Sequence, residues 1–258
     1  MRFPRFAQRL ALCFGLAATT TSATCDDKPQ HQQTVETTNP PHKKAAAEQD
    51  NKKAEVPKPF KPRPVVFWGD SVANGMGKNI KGSFETVENR GVDGAGLLNG
   101  KEPKSHLNLP KNAVVIIHMM GNDMGTLRQR NQEFTDDYAE RLVKIALDMQ
   151  AQGATPIIIG HHSVPGPYTG GGPGWQVPGV VEKWNEAMHR TNAAVEKEAQ
   201  KHGIVFSSTE GRVSERHSDN LHYTRKGYRH ITHNALKDAG IPTSQLVKKK
   251  QKAPTIWP

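Results

Sequence analysis

The apolar run Val65-Val66-Phe67-Trp68 breaks on Gly69-Asp70-Ser71, which places a serine at the end of a buried strand. The strand fixes the backbone, and the polar turn lifts the hydroxyl clear of it. A serine hydroxyl is nearly inert at neutral pH. Nucleophilic chemistry at Ser71 therefore needs a base, an orienting carboxylate and donors for a developing oxyanion. His222 is the candidate base; it follows Asp219 by three residues and precedes a helix signal. Asp219 would fix the imidazole tautomer and stabilise the imidazolium formed when Ser71 loses its proton. The backbone N–H groups of Ser71 and Gly94 and the side-chain amide of Asn122 are the candidate oxyanion donors. Each piece taken alone has an ordinary explanation. Gly-Asp-Ser can be a solvated turn, one histidine among 12 can be surface or core, and Gly91, Gly94 and Gly96 can serve a loop with positive φ. Asp70 and Asp123 are expected to brace loops without reacting, and His217 to be solvated.

Five strands must position these residues: Val65–Trp68, a short one near Phe84–Val87, Val114–Met119, Pro156–Gly160 and Ile204–Ser207. Their apolar runs are continuous, as in a parallel sheet covered on both faces. Between them lie three helices. Thr135 is the expected cap of the first, with Asp136 and Asp137 in its first turn and Tyr138, Leu142, Ile145, Ala146 and Met149 as its apolar stripe. The second runs from about Val180 to Gly203 and buries Trp184, Ala187, Met188 and Val195. The third follows Thr224, with Tyr228, Ile231 and Ala235 inward. Strand–helix alternation predicts an α/β three-layer α/β/α sandwich, whose ligand site lies beyond the carboxyl ends of the strands. Ser71, the Asn89–Gly94 segment, Asn122 and the Asp219–His222 turn all fall on that edge.

These blocks also stand in a recognisable order: G-D-S at Gly69–Ser71, N-R-G-V-D-G at Asn89–Gly94, M-G-N-D at Met120–Asp123 and D-N-L-H at Asp219–His222. In them the chain resembles the SGNH (GDSL) hydrolase superfamily, over about residues 64–240. The resemblance implies a flavodoxin-like parallel five-stranded sheet and ester hydrolysis through Ser71, His222 and Asp219. It also implies oxyanion donors at Ser71, Gly94 and Asn122. One residue departs from the pattern. The third block usually reads G-x-N-D, and Met120 stands at its first glycine, which bears on the backbone geometry there.

The remaining features concern substrate and location. Ser163–Gly179 is a long loop on the ligand edge, and its Tyr168 and Trp175 are candidates for stacking on a sugar or covering an acyl chain, with packing beneath the loop the equal alternative. His161-His162 lacks a third metal ligand, and no metal or organic cofactor is expected. Residues 1–23 read as a signal peptide: Arg2, Arg5 and Arg9 precede an apolar run from Leu10 to Ala18 that is too short to span a bilayer. Cys25 is a candidate lipidation site, although Thr24 is a poor residue before it. Residues 24–63 read as a disordered Lys/Pro-rich tether, 64–242 as the catalytic domain and 243–258 as a basic flexible tail. The net charge of +10 suits an anionic cell-wall polymer or membrane surface, and no aromatic-plus-basic pattern points to nucleic acid.

Together these residues predict an exported serine esterase, periplasmic or secreted, monomeric by default. Its expected substrate is an acylated small molecule or polysaccharide, with acetyl groups on a carbohydrate or cell-wall polymer preferred. The rival enzyme is a lipase or lysophospholipase, which requires an apolar trough beneath Tyr168 and Trp175. The rival from another class is a binding module that kept the fold and lost the chemistry, with Met120 as its clue.

Overall fold

The structure, a computed structural model, describes residues 61–247 apart from Lys81 and Glu102. The signal peptide, Cys25, nearly all of the tether and the last 11 residues of the tail lie outside the described residues. Five parallel strands form one sheet: β1 (Val65–Gly69), β2 (Val87–Gly91), β3 (Val114–His118), β4 (Thr155–Ile159) and β5 (Val205–Ser207), in the order β2-β1-β3-β4-β5. The chain leaves β1 for β2 on one side and returns to β3 on the other. That reversal is the switch point at which such sheets open a ligand crevice.

Helices cover both faces. Val65, Phe67, Val114 and Ile116 pack under α1 (Ser71–Ile80) and α5 (Arg225–Asp238). Val66, Trp68, Val115 and Ile117 pack under α3 (Gln132–Ala151) and α4 (Val180–Lys201), with the short α2 (Met124–Leu127) alongside. Every residue of β1 and β3 is buried, as their unbroken apolar runs require.

Four expectations need correction. The second strand is Val87–Gly91, beyond the Phe84–Val87 run. It is polar because it pairs only with β1 and lies at the sheet edge, where Glu88 and Arg90 form an ion pair of 2.6 Å. The segment Asn89–Gly91 is thus strand, and the loop begins only after it. Thr135 does not cap α3. Asn131 does, accepting the Phe134 N–H at 3.1 Å, while Thr135 is buried inside the helix and donates back to the Asn131 carbonyl. α1 begins directly at Ser71, where only a turn was expected; Gly75 and Gly77 hide its Val72–Met76–Ile80 stripe.

The domain is also longer than 64–242. Arg63 donates to the Asn112 carbonyl and to Thr155 Oγ1, and Leu246, within the expected tail, is fully buried beneath α5. Leu246→Ala should therefore cost about 3 kcal/mol of stability, readable as a lower urea midpoint at unchanged slope. A flexible tail would leave the midpoint unmoved.

Candidate active site

Ser71 is the first residue of α1, so its N–H has no carbonyl a turn earlier to bond and takes no partner among the described residues. Its position depends on Gly69, at φ +134°. A Cβ there would stand 1.7 Å from the His118 carbonyl oxygen, so only glycine lets β1 turn this close to β3. Asp70 then braces the turn. Its buried carboxylate accepts the Val72 N–H at 2.9 Å, the Gly121 N–H at 3.2 Å and the His118 Nδ1–H at 2.8 Å. Burial pushes that carboxyl up, but His118 and these donors outweigh it and hold its pKa below the ordinary value.

The turn before α5 brings the second group. His222 Nε2 lies 2.9 Å from Ser71 Oγ, and His222 Nδ1 lies 2.7 Å from Asp219 Oδ2. Asp219 Oδ1 accepts the N–H groups of Leu221 and His222 at 3.0 and 2.9 Å. Partial burial raises the Asp219 carboxyl, yet the His222 and Leu221 bonds bring it below its ordinary value, so it stays ionised at neutral pH. With Asp219 ionised, Nδ1 carries the proton and Nε2 is free to accept from the serine hydroxyl. Residues 151 positions apart in sequence thus form one hydrogen-bonded row.

Gly94, at φ +80°, and Asn122 line the same cavity of 380 Å³ as Ser71 and His222. The Gly94 N–H takes no partner among the described residues, and Asn122 commits one of its two amide hydrogens to the Ala95 carbonyl at 3.0 Å. Asp123 ties the two loops together by accepting the Leu97 and Leu98 N–H groups and the Tyr138 hydroxyl. Burial pushes its carboxyl up despite those donors. Asp70 and Asp123 are braces, as expected from sequence. Met120 is harmless: it sits at φ −80°, ψ −24°, ordinary right-handed backbone that needs no glycine.

Tyr168 lines the cavity and meets the His222 ring edge-on at 6.2 Å. Trp175 does not line it. Its ring packs on Trp184 at 4.5 Å and on Tyr168 at 5.9 Å, so it holds Tyr168 from behind. The loop is tied to the Asp219–His222 turn by Asn220, whose amide donates to the Pro167 carbonyl. His217 is exposed, as expected. Sequence reasoning missed the Asp70–His118 pair, whose only signal was a histidine ending an apolar strand. His161 and His162 are buried, and among the described residues no three His, Cys, Asp or Glu side chains are grouped to hold a metal ion.

A family model described as GDSL-like lipase/acylhydrolase matches residues 59–235. Among solved structures, the fold is similar to that of an aryl esterase of M. smegmatis, at 14% identity and a TM-score of 0.53, covering 70% of this chain and 100% of that one. It is also similar to Est24, a carbohydrate acetylesterase from Sinorhizobium meliloti, at 14% identity and a TM-score of 0.52, covering 69% and 98%. No curated protein matches the chain.

Proposed function

We propose, for a chain that belongs to the GDSL-like lipase/acylhydrolase (SGNH) family and is a carboxylic ester hydrolase, that Ser71 is the nucleophile of an exported esterase that removes short acyl groups from a carbohydrate or cell-wall polymer. The observation that carries the reading is the Ser71–His222–Asp219 row at 2.9 and 2.7 Å. Ser71 Oγ attacks the ester carbonyl carbon while His222 Nε2 takes its proton, and Asp219 stabilises the imidazolium. The carbonyl oxygen, now negative, receives the Ser71 and Gly94 N–H groups and the free amide hydrogen of Asn122. Collapse expels the alcohol, which takes the proton from His222. Water, deprotonated by the same nitrogen, then attacks the acyl-enzyme, releasing the acid and restoring the serine hydroxyl.

The short acyl preference rests on the cavity. Its rim is polar, with Asn74, Lys78 and Asp93, and Trp175 fills the space beneath Tyr168 where a long chain would have to lie. Sequence alone supports export, through residues 1–23, and attachment through Cys25. Two expected results test the chemistry. Acetate release from purified cell-wall material should vanish in Ser71→Ala; equal release by both proteins would refute the reading. Asn122→Ala should lower kcat by about 10²–10³-fold with little change in KM, because the amide bonds the oxyanion and not the ground-state ester.

A further inference from the structure

Across His222 from the serine lies a second cavity, of 430 Å³, between the outer face of α1 and the start of α5. It shares Gly75 and His222 with the 380 Å³ cavity that contains Ser71, so the two adjoin along one rim. The shared rim is formed by Gly75 and His222, and the Tyr228 ring packs so close to Gly75 that a Cβ there would stand 2.3 Å from it. An ester seated with its carbonyl at Ser71 can therefore run its alcohol part past His222, along the rim the two cavities share.

The second cavity is rich in unspent donors. Arg225 and His217 are both exposed at its wall. Among the described residues, Arg225 makes no ion pair or hydrogen bond, whereas its neighbour Lys226 is paired with Glu215, which His230 also reaches at 3.2 Å. The acid in the cavity is already committed: Asp219 accepts from Leu221 N–H, His222 N–H and the His222 ring. Arg225 thus offsets Asp219 in this cavity, and on the serine side Lys78 at 3.9 Å from the Asp93 carboxylate and Lys101, which donates to the Asp93 backbone carbonyl, outnumber that acid.

We propose that this second cavity is the subsite for a carboxylate on the alcohol part of the substrate, read chiefly by Arg225. The preferred substrate class is then the acyl ester of a sugar acid, in place of a neutral sugar. A free guanidinium fork matches a carboxylate bidentately, which a lysine ammonium does not. The inference rests on the serine-esterase reading, because only that reading places the acyl group in the Ser71 cavity and the alcohol beyond it.

The test uses a matched pair, mono-O-acetylated methyl glucuronoside and methyl glucoside, with acetate release measured at low and high salt. Wild type should favour the glucuronoside about fivefold in kcat/KM, through KM, and lose the preference at high salt. Arg225→Gln should remove the preference while p-nitrophenyl acetate turnover, which involves no carboxylate, stays within about twofold of wild type. Arg225→Lys should keep part of it by keeping the charge. Equal rates on both glycosides by wild type, or a preference that survives in Arg225→Gln, would overturn the subsite while Ser71→Ala remains inactive on both. Acetate release retained in Ser71→Ala would instead overturn the underlying reading, and the subsite with it.

Discussion

Ser71→Ala will lower turnover of p-nitrophenyl acetate by at least about 10⁴-fold, and the protein will fold as before. The chemical loss is large because His222 is then a base with no nucleophile to deprotonate, so the remaining donors can only bind. The structural loss is small for the opposite reason. Among the described residues Ser71 Oγ has His222 Nε2 as its only partner, at the wall of an open cavity, and removing it orphans no buried group. Unfolding midpoints within about 0.5 kcal/mol of wild type, together with lost turnover, are the expected pair of readings. Turnover that survives the substitution assigns the nucleophile elsewhere.

The second large effect concerns pH. His161 is wholly buried among His118, His162 and Trp184, at ring distances of 5.2, 4.7 and 6.2 Å, and neither of its ring nitrogens has a partner among the described residues. Burial pushes its pKa down from 6.5 to about 3, with His118 adding to the effect, and burial lowers His162 as well. The unfolded chain takes up a proton on the His161 ring below pH 6.5, whereas the folded chain does not until about pH 3. Stability is therefore full above that upper value and declines as pH falls between the two. For His161 alone the loss reaches about 2–3 kcal/mol by about pH 4.5. The carboxylates act in a different window. Asp70 and Asp219 have depressed pKa values, so their contribution is present above the ordinary 3.8 and is lost only below it. Urea unfolding at about pH 7.5 and about pH 4.5 should show the decline in wild type and a clearly smaller one in His161→Phe. Equal slopes in the two proteins would sink the assignment to His161.

Most of the sheet was legible because burial on both faces leaves a mark that needs no context. Val65–Trp68 and Val114–Ile117 are apolar without interruption, and Thr224 and Gly153 punctuate helices by local chemistry. β2 was misplaced because an edge strand is selected for its side-chain partners, and Glu88, Asn89 and Arg90 look like loop until Arg90 is seen reaching the carbonyls of Ser105, Leu107 and Asn108. α1 was missed for a related reason. Gly75 and Gly77 are poor helix formers, retained where the Tyr228 and Asn89 side chains press against the helix. For Trp175 the sequence left ligand contact and packing beneath the loop both open, and only its contact with Trp184 on α4 places the ring in packing.

The chain by itself determined which groups could react and which edge of the sheet would hold them, since strand ends, a serine turn and an Asp-x-x-His spacing are local features. Tertiary structure alone decided that Ser71 and His222 meet, that Asp70 spans β1 and the Asn122 turn, and that Arg225, unpaired among the described residues, faces a cavity adjoining that of Ser71. Those are relations between residues far apart in sequence. They exist only once packing has closed the distance, and no pattern within a single segment encodes them.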